Sequence, residues 1–588
     1  MLNACMPKAR RVPTKRCSLP VLFALLFSLG CDNTEENTLN SPATAGADGV
    51  STGGMAAGGA SNVTGPMPGG TGSGGAGNTL GTGGVGSVPP PPTGGAAGSA
   101  AGGASGGNPN AGGNPSTGGN PGTGGGPPVI PSFAKKNVLL IMADDMNDWA
   151  EPFGGHPQAK TPNIKKLADR GVVFKNAYSV VPVCQPSRTA MLLGLRPHTS
   201  TVWGNSSTHY RNIPALADRV TLPQFFQSQG YKTADAGKIF HVSSGGSDAD
   251  SWDEEFAGSG GTKIPPGYTP THGMVFSGYN AEIPWGLNWG PAAGNTEEQG
   301  DWLSAGYIAG QLEKAQDKPF FLAYGAHKPH LPMIVPQKYF DMFPLANIQL
   351  TDVDVNDLND VPQNGLKGDH GHEEFLRTAD KKNWEQGIQA YLASLAFADD
   401  CIGRVLDALE NGPHKDNTIV LLMGDHGWHL GEKMHWGKAT LWEEATKTPL
   451  IIYDPSIGRV GVVSEPVSLQ DIYPTLVELN GLSGAPSPLA GRSIVPLLLD
   501  PQRTDQPGWA LSSWVDGHEA LRTERWSLIR HGQTVGSYQY ELYDMKADPL
   551  QHTNLAKVVS HAQTVQLLSE DIDNIIKTNA PKNQQAFE

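Results

Sequence analysis

The chain of 588 residues holds only 5 cysteines, and three of them, Cys5, Cys17 and Cys31, fall near its start. So few thiols exclude a disulfide-built scaffold. Long apolar runs are also missing. The longest, SLPVLFALLFSLG at Ser18–Gly30, is about 13 residues, short of the ~20 that span a bilayer, so no segment reads as a membrane-crossing helix. Cations are outnumbered: 42 Lys and Arg face 57 Asp and Glu, a formal net charge of −15. That balance argues against nucleic acid as a partner. It leaves room for a small anionic substrate, because a local cationic pocket overrides the global field. From Ser41 to Pro131 charge is almost absent, and Asp48 is the only charged residue among Gly, Ala, Ser, Thr, Asn and Pro. Such a stretch buries no apolar surface to offset the entropy of ordering, so it reads as a flexible tether. Its repeated GGNP snippets are too short for a solenoid.

Lys8, Arg10, Arg11, Lys15 and Arg16 precede the apolar run, and Gly30-Cys31 closes it. This is the charge, apolar, small-residue order of a secretory signal. Gly30-Cys31 resembles a bacterial lipoprotein cleavage box, with Ser28 where leucine is usual; plain secretion is the other reading. The expectation is a signal peptide of lipoprotein type over 1–31 and a disordered linker over 32–132. The protein is then exported, to the bacterial cell surface or periplasm as a lipoprotein, or secreted. Its only membrane contact would be an N-terminal lipid anchor on Cys31.

Exported proteins normally pair their cysteines. Cys401 lies in AYLASLAFADDCIGRVLDAL, whose apolar spacing predicts a helix, so it reads as a small core residue. Nothing points to a disulfide for Cys184. It stands in VVPVCQPSRTAMLLGLRP, beside a proline, a serine and an arginine, at a predicted helix start. A thiol so placed outside the cell needs a chemical reason.

The folded part alternates strand and helix. KKNVLLIMADDMNDW carries an apolar run, Val138 to Met142, that suits a strand buried on both faces and ends at Asp144-Asp145. TPNIKKLADRGVVF reads as helix, Gly171 stop and strand. VTLPQFFQSQGYKTADAGKIFH repeats the pattern, and KPFFLAYGAHKPH is an apolar strand with a His-rich end. A helix around Leu392 to Leu409 leads into the strand of NTIVLLMGDHGW. TPLIIYDP and QDIYPTLVELNGL add another strand and helix. This alternation predicts an α/β fold with a large, mixed, mostly parallel sheet between helices. Past about Pro501, SSWVDGHEALRTERWSLIRH and YQYELYDMKADP predict antiparallel strands, with a closing helix near Thr564 to Lys577.

In such sheets ligands bind beyond the carboxyl ends of strands, and the polar clusters sit there. Asp144-Asp145, Asp425-His426, the segment His327 to His330, and Lys238 with His241 each have an ordinary reading as a cap or loop. Four such ends on one sheet converge by topology. Together they supply carboxylates, imidazoles and ammonium groups, a cationic site organised around a metal and suited to an anionic ester.

Cys184-Gln185-Pro186-Ser187-Arg188, followed by Leu192 and Gly194, resembles the sulfatase signature C-x-P-S-R-x-x-x-L-x-G. GKIFH, GAHKPHLP, DHGWHLGEKMHWGK, QDIYPTLVELNGL and ELYDMKADPLQHTNLA look like iduronate-2-sulfatase-like members, and the likeness runs from about Lys136 to Leu555. It implies an alkaline-phosphatase/sulfatase-like fold, with a catalytic domain over 133–500 and a smaller antiparallel subdomain over 501–588. It implies that a formylglycine-generating enzyme oxidises Cys184 to an aldehyde, whose gem-diol attacks sulfur. A thiol or serine would be left carrying a sulfo group that is hard to remove; the second hydroxyl of the gem-diol allows its release.

By the same resemblance Asp144, Asp145, Asp425 and His426 hold one calcium ion with the modified Cys184. Arg188 and Lys238 steady the gem-diol and the sulfate oxygens, His241 assists elimination, and His327 and Lys438 bind sulfate and serve the leaving oxygen. His426 sits uneasily with calcium, which prefers oxygen ligands; ligand type alone admits a transition metal. The implied substrate is a sulfated sugar or polysaccharide. The likeness fades between Val242 and Asp301 and between Asp352 and Trp384, which are expected to form the pocket rim. Two rival readings are a phosphatase or phosphonate monoester hydrolase of the same superfamily, against which Cys184 speaks, and a catalytically silent glycan-binding lipoprotein.

Overall fold

The computed structural model describes residues 133–587 except 207–208, 242–246, 257–288, 367–381, 506 and 533–535. The expected signal peptide and linker, with much of the expected rim, therefore lie outside the described residues. Those described fall in one compact unit.

An eight-stranded sheet forms the centre. In chain order its strands are β1 (Asn137–Ala143), β2 (Val172–Phe174), β3 (Lys232–Gly237), β4 (Glu254–Glu255), β5 (Phe320–Ala326), β6 (Thr418–Gly424), β7 (Leu450–Tyr453) and β8 (Gly461–Val463). Across the sheet they run β8-β2-β7-β6-β1-β5-β3-β4. All pairings are parallel except those of β7 with β6 and β2. A mostly parallel sheet needs both faces covered, and the alternation along β1 shows how this is met. Leu139, Ile141 and Ala143 join the core formed with α1 (Pro162–Ala168), α4 (Gly300–Leu312) and α5 (Lys382–Asn411). Val138, Leu140 and Met142 join the core on the other face, with α2 (Cys184–Leu193), α3 (Leu222–Ser228) and α6 (Ile472–Leu479). Cys401 is buried in the first core, as its helical spacing predicts.

Past the main sheet, β9 (Trp509–Ser513), β10 (His518–Thr523), β11 (Trp526–His531) and β12 (Gln539–Asp544) form an antiparallel four-stranded sheet. Helix α7 (Ala562–Thr578) covers it through Val565, Leu568, Ile572 and Ile575. This sheet is tied to the chain just before Cys184: Ser512 Oγ donates to the Ser179 carbonyl at 2.6 Å and Ser513 N to that of Val180 at 2.8 Å. The adjacent pair Ala177–Tyr178 is held between Lys447–Thr448 and Val467–Ser468. Among the described residues no helix is long and apolar enough to cross a membrane.

Candidate active site

Four neighbouring parallel strands, β6-β1-β5-β3, end at one level: Ala143 pairs with both Ala326 and Gly424, and Gly237 pairs with Gly325. The next residues are Asp425, Asp144, His327 and Lys238. With strands about 4.8 Å apart, register alone gathers these four within roughly 15 Å. Gly237 takes φ +81°, and a Cβ there would lie 2.1 Å from the Gly325 carbonyl oxygen, so only glycine allows Lys238 to turn back over the strand ends.

Helix α2 presents Cys184 from the other side. Its first hydrogen bond runs from Ser187 N to the Val183 carbonyl at 3.1 Å, and Asn205 Oδ1 accepts from Gln185 N at 3.0 Å. Pro186 sits in the first turn, where a missing N–H costs nothing. Ser187 Oγ donates to the Asp425 carbonyl at 2.6 Å. Leu192 is core, and Gly194 closes the helix at φ +65°, where a Cβ would meet Leu489 at 2.4 Å. Each specified position of the C-x-P-S-R-x-x-x-L-x-G stretch thus has a local physical use. Arg188 is wholly buried and points inward. Nε lies 2.8 Å from Asp425 Oδ2 and Nη2 3.2 Å from Asp144 Oδ1, while Nη1 donates to the carbonyls of Lys238 and Ile239. Arg188 thus grips two carboxylates of the site.

Cys184 Sγ lies 2.9 Å from Lys438 Nζ and 3.3 Å from His426 Nε2. Lys438 follows the small hairpin His429–Leu430/Trp436–Gly437, reaches Asp145 Oδ1 at 2.7 Å, and lies 5.5 Å above the Trp428 ring. Lys238 Nζ is 2.5 Å from Asp144 Oδ2. His241 interacts with the Cys184 side chain, and its Nδ1 is buried with no hydrogen-bond partner among the described residues.

The electrostatics follow from burial and crowding. Burial would raise the Asp144 pKa, as would Cys184, but Lys238, His330 and Arg188 hold it well below the usual range. Burial pushes Asp425 up to about 6 against the pull of Arg188. Burial works to lower His426, yet chiefly Asp425 raises it to about 9. Burial and then Lys238 bring His241 down to about 4, and burial with Lys328 holds His327 well below its ordinary value. Both shifts favour the neutral imidazole of His241 and of His327.

Donor atoms of Asp144, Cys184, Asp425 and His426 all lie within 4.8 Å of one another, and so do those of Asp145, Cys184 and His330. Asp145 Oδ2 is buried and accepts no hydrogen bond among the described residues. Buried carboxylates are otherwise paired, so this open oxygen, with the clustered acids, fits a divalent cation. All the residues expected at the site are brought together. His330 was overlooked, although HKPH contains it: its Nε2 is 3.8 Å from Asp144 Oδ2 and 3.7 Å from Asp145 Oδ2.

Residues 136–482 match the Sulfatase family model. The chain belongs to the sulfatase family. Residues 431–578 of this sulfatase also match the model for the C-terminal region of N-sulphoglucosamine sulphohydrolase. A sulfatase of Formosa agariphila is 33% identical over 460 residues, covering 76% of this chain and 87% of that protein. Iduronate 2-sulfatase of Mus musculus is 28% identical over 480 residues, covering 73% and 78%. Among solved structures, the phosphonate monoester hydrolase of Agrobacterium radiobacter shares the fold with a TM-score of 0.62 at 21% identity, over 76% of this chain and 96% of that one. The chain is thus a sulfatase, a hydrolase, that shares its fold with that structure.

Proposed function

We propose that this sulfatase removes sulfate from a sulfated carbohydrate, with Cys184 converted to formylglycine and one calcium ion bound. The observation that carries this reading is the setting of Cys184. It opens a buried helix, its sulfur 2.9 Å from Lys438 Nζ and 3.3 Å from His426 Nε2, beside clustered carboxylates with one open oxygen. The sulfur marks the place of the formylglycine oxygens. Formylglycine supplies a hydrated-aldehyde nucleophile and a second hydroxyl through which sulfate is released. Asp144, Asp145, Asp425, His426 and residue 184 would hold the calcium ion, which would supply charge stabilisation.

The chain's own residues do the rest. Lys238 and Lys438 bring two ammonium groups to the sulfate oxygens, and such preorganised charge is worth most in a buried site. His241, neutral, takes the proton when sulfate is eliminated. His327 binds the ester and serves the leaving oxygen. Arg188 holds Asp144 and Asp425 in place. The substrate is read as a sulfate monoester on a secondary hydroxyl of an acidic sugar, by likeness to iduronate 2-sulfatase. The N-terminal reading supports an exported protein, lipid-anchored at Cys31 or secreted, that meets polysaccharide outside the cytoplasm.

Two measurements test this. Mass spectrometry of the peptide containing residue 184 should show a loss of about 18 Da from thiol-to-aldehyde conversion; an active preparation with only cysteine there refutes the mechanism. Turnover of 2-O-sulfated uronate oligosaccharides, sulfated galactans, an aryl sulfate and the matching aryl phosphate should rank the uronate first. A galactan preferred tenfold, about 1.4 kcal/mol in transition-state binding, refutes the uronate assignment alone. A phosphate preferred by that margin refutes the sulfate assignment and favours the phosphonate-hydrolase-like chemistry.

A further inference from the structure

Asp301 was expected in a rim loop. It is instead the second residue of α4, buried, and 26 residues before His327 in sequence. An acid in the first turn of a helix ordinarily serves that helix's own orphan N–H groups. This one does not. One carboxylate oxygen accepts from His327 N at 3.0 Å and the other from Lys328 N at 2.9 Å. Tyr324, on the strand that leads to His327, donates from its hydroxyl to the Asp301 carbonyl at 3.1 Å.

The far end of the same turn is fixed by Lys328. Its buried ammonium donates to the His330 carbonyl at 3.0 Å and to the Pro332 carbonyl at 2.7 Å. His330 N in turn donates to the His327 carbonyl at 3.1 Å. Asp301 and Lys328 thus grip both ends of a turn carrying two imidazoles, whose ring centres lie 5.0 Å apart. A buried carboxylate without compensation is costly. Burial does raise Asp301, to about 6, against the opposing charge of Lys328 and the two backbone donors, so near pH 7 it is mainly ionised.

We propose that Asp301 is a positioning residue of the catalytic site, a buried carboxylate that sets the placement of His327 through the two backbone N–H groups at the end of β5. This rests on the reading of His327 as the group that touches the ester. Outer partners that orient metal-ligating histidines typically carry 10- to 100-fold effects, and a loss of that order is expected for a carboxylate that places a working histidine.

The test is a double-mutant cycle of Asp301→Asn with His327→Ala. It is read in kcat/KM on an aryl sulfate, or on the aryl phosphate if the enzyme prefers it, and by calorimetry in the affinity for inorganic sulfate. The Asn variant keeps the shape but faces one backbone N–H with another donor. The expected result is a loss of about 10- to 100-fold for Asp301→Asn alone, with no further loss in the His327→Ala background, because the effect passes through His327. A merely structural role gives multiplying losses in the double variant. That outcome, or Asp301→Asn within twofold of wild type, overturns the proposal. If the Asn variant does not fold, the cycle is run with Asp301→Glu, which keeps the charge but displaces it by one methylene, and the same two outcomes decide. Wild-type turnover of the two esters judges the sulfatase chemistry separately.

Discussion

Two buried carboxylates invite comparison, Asp145 at the strand ends and Glu541 in the C-terminal sheet. Glu541 is saturated: it accepts from His531 Nε2 at 2.6 Å, Trp442 Nε1 at 2.9 Å and Tyr543 OH at 2.5 Å. Gly365 closes over it, since a Cβ there would lie 2.8 Å from Glu541 Oε1. Asp145 takes Lys438 on one oxygen and leaves the other open. Both clusters mix acid, histidine and aromatic residues, and a list of residue types does not separate them. Valence does. A polar cluster that satisfies itself holds the fold together, whereas one with an open oxygen beside crowded acids is built to receive something.

The comparison can be broken by substitution. Cys184→Ala should lower kcat/KM by about 10⁴-fold or more, as for loss of a catalytic nucleophile, with a thermal midpoint near that of wild type. Asp425→Asn should weaken divalent-cation binding more than about 100-fold, beyond the usual effect of an outer partner; calorimetric titration checks this. Chelation should abolish activity, and calcium should restore it better than zinc. Lys438→Ala should reduce kcat by about 10²- to 10³-fold through the lost charged donor, measured in steady-state turnover.

Glu541→Gln should do the reverse. Activity should stay within a few-fold, while unfolding free energy falls by about 1–3 kcal/mol as buried donors lose their acceptor. The smallest effect sharpens the contrast through pH. Burial works to raise the Glu541 pKa, but His531, Tyr543 and Trp442 lower it below the ordinary value. A depressed acid stabilises the fold above its unfolded pKa, about 4.3, and that share is lost as pH falls below it. Denaturant melts from pH 5 to pH 3 should therefore show a shallower acid-side loss for Glu541→Gln than for wild type.

Much of the catalytic frame was legible from residues alone. Apolar runs such as Val138 to Met142 announce buried strands, and polar residues directly after them announce the site. The direction of β7 was not legible, because a short apolar run such as Leu450 to Ile452 carries no orientation. The start of α5 at Lys382 was read as rim, because its first turn is polar. Arg188 was visible as a cation in a motif, but only the folded chain shows that its partners are Asp144 and Asp425. Asp301 was beyond reach for a related reason: it serves backbone N–H groups, which every residue offers, and so leaves no pattern.

The seam that joins Ser512 and Ser513 to Ser179 and Val180 also sets a timetable. Cys184 is 0% exposed, and the chain leading to it is closed in by residues 447–448, 467–468 and 512–513, all synthesised long after it. Contacts of such long sequence separation form late. On the proposed conversion of Cys184, the oxidising enzyme would have to reach it before these later segments dock. Added to folded protein, that enzyme should convert nothing; added to the same protein in denaturant-unfolded form, it should find its substrate.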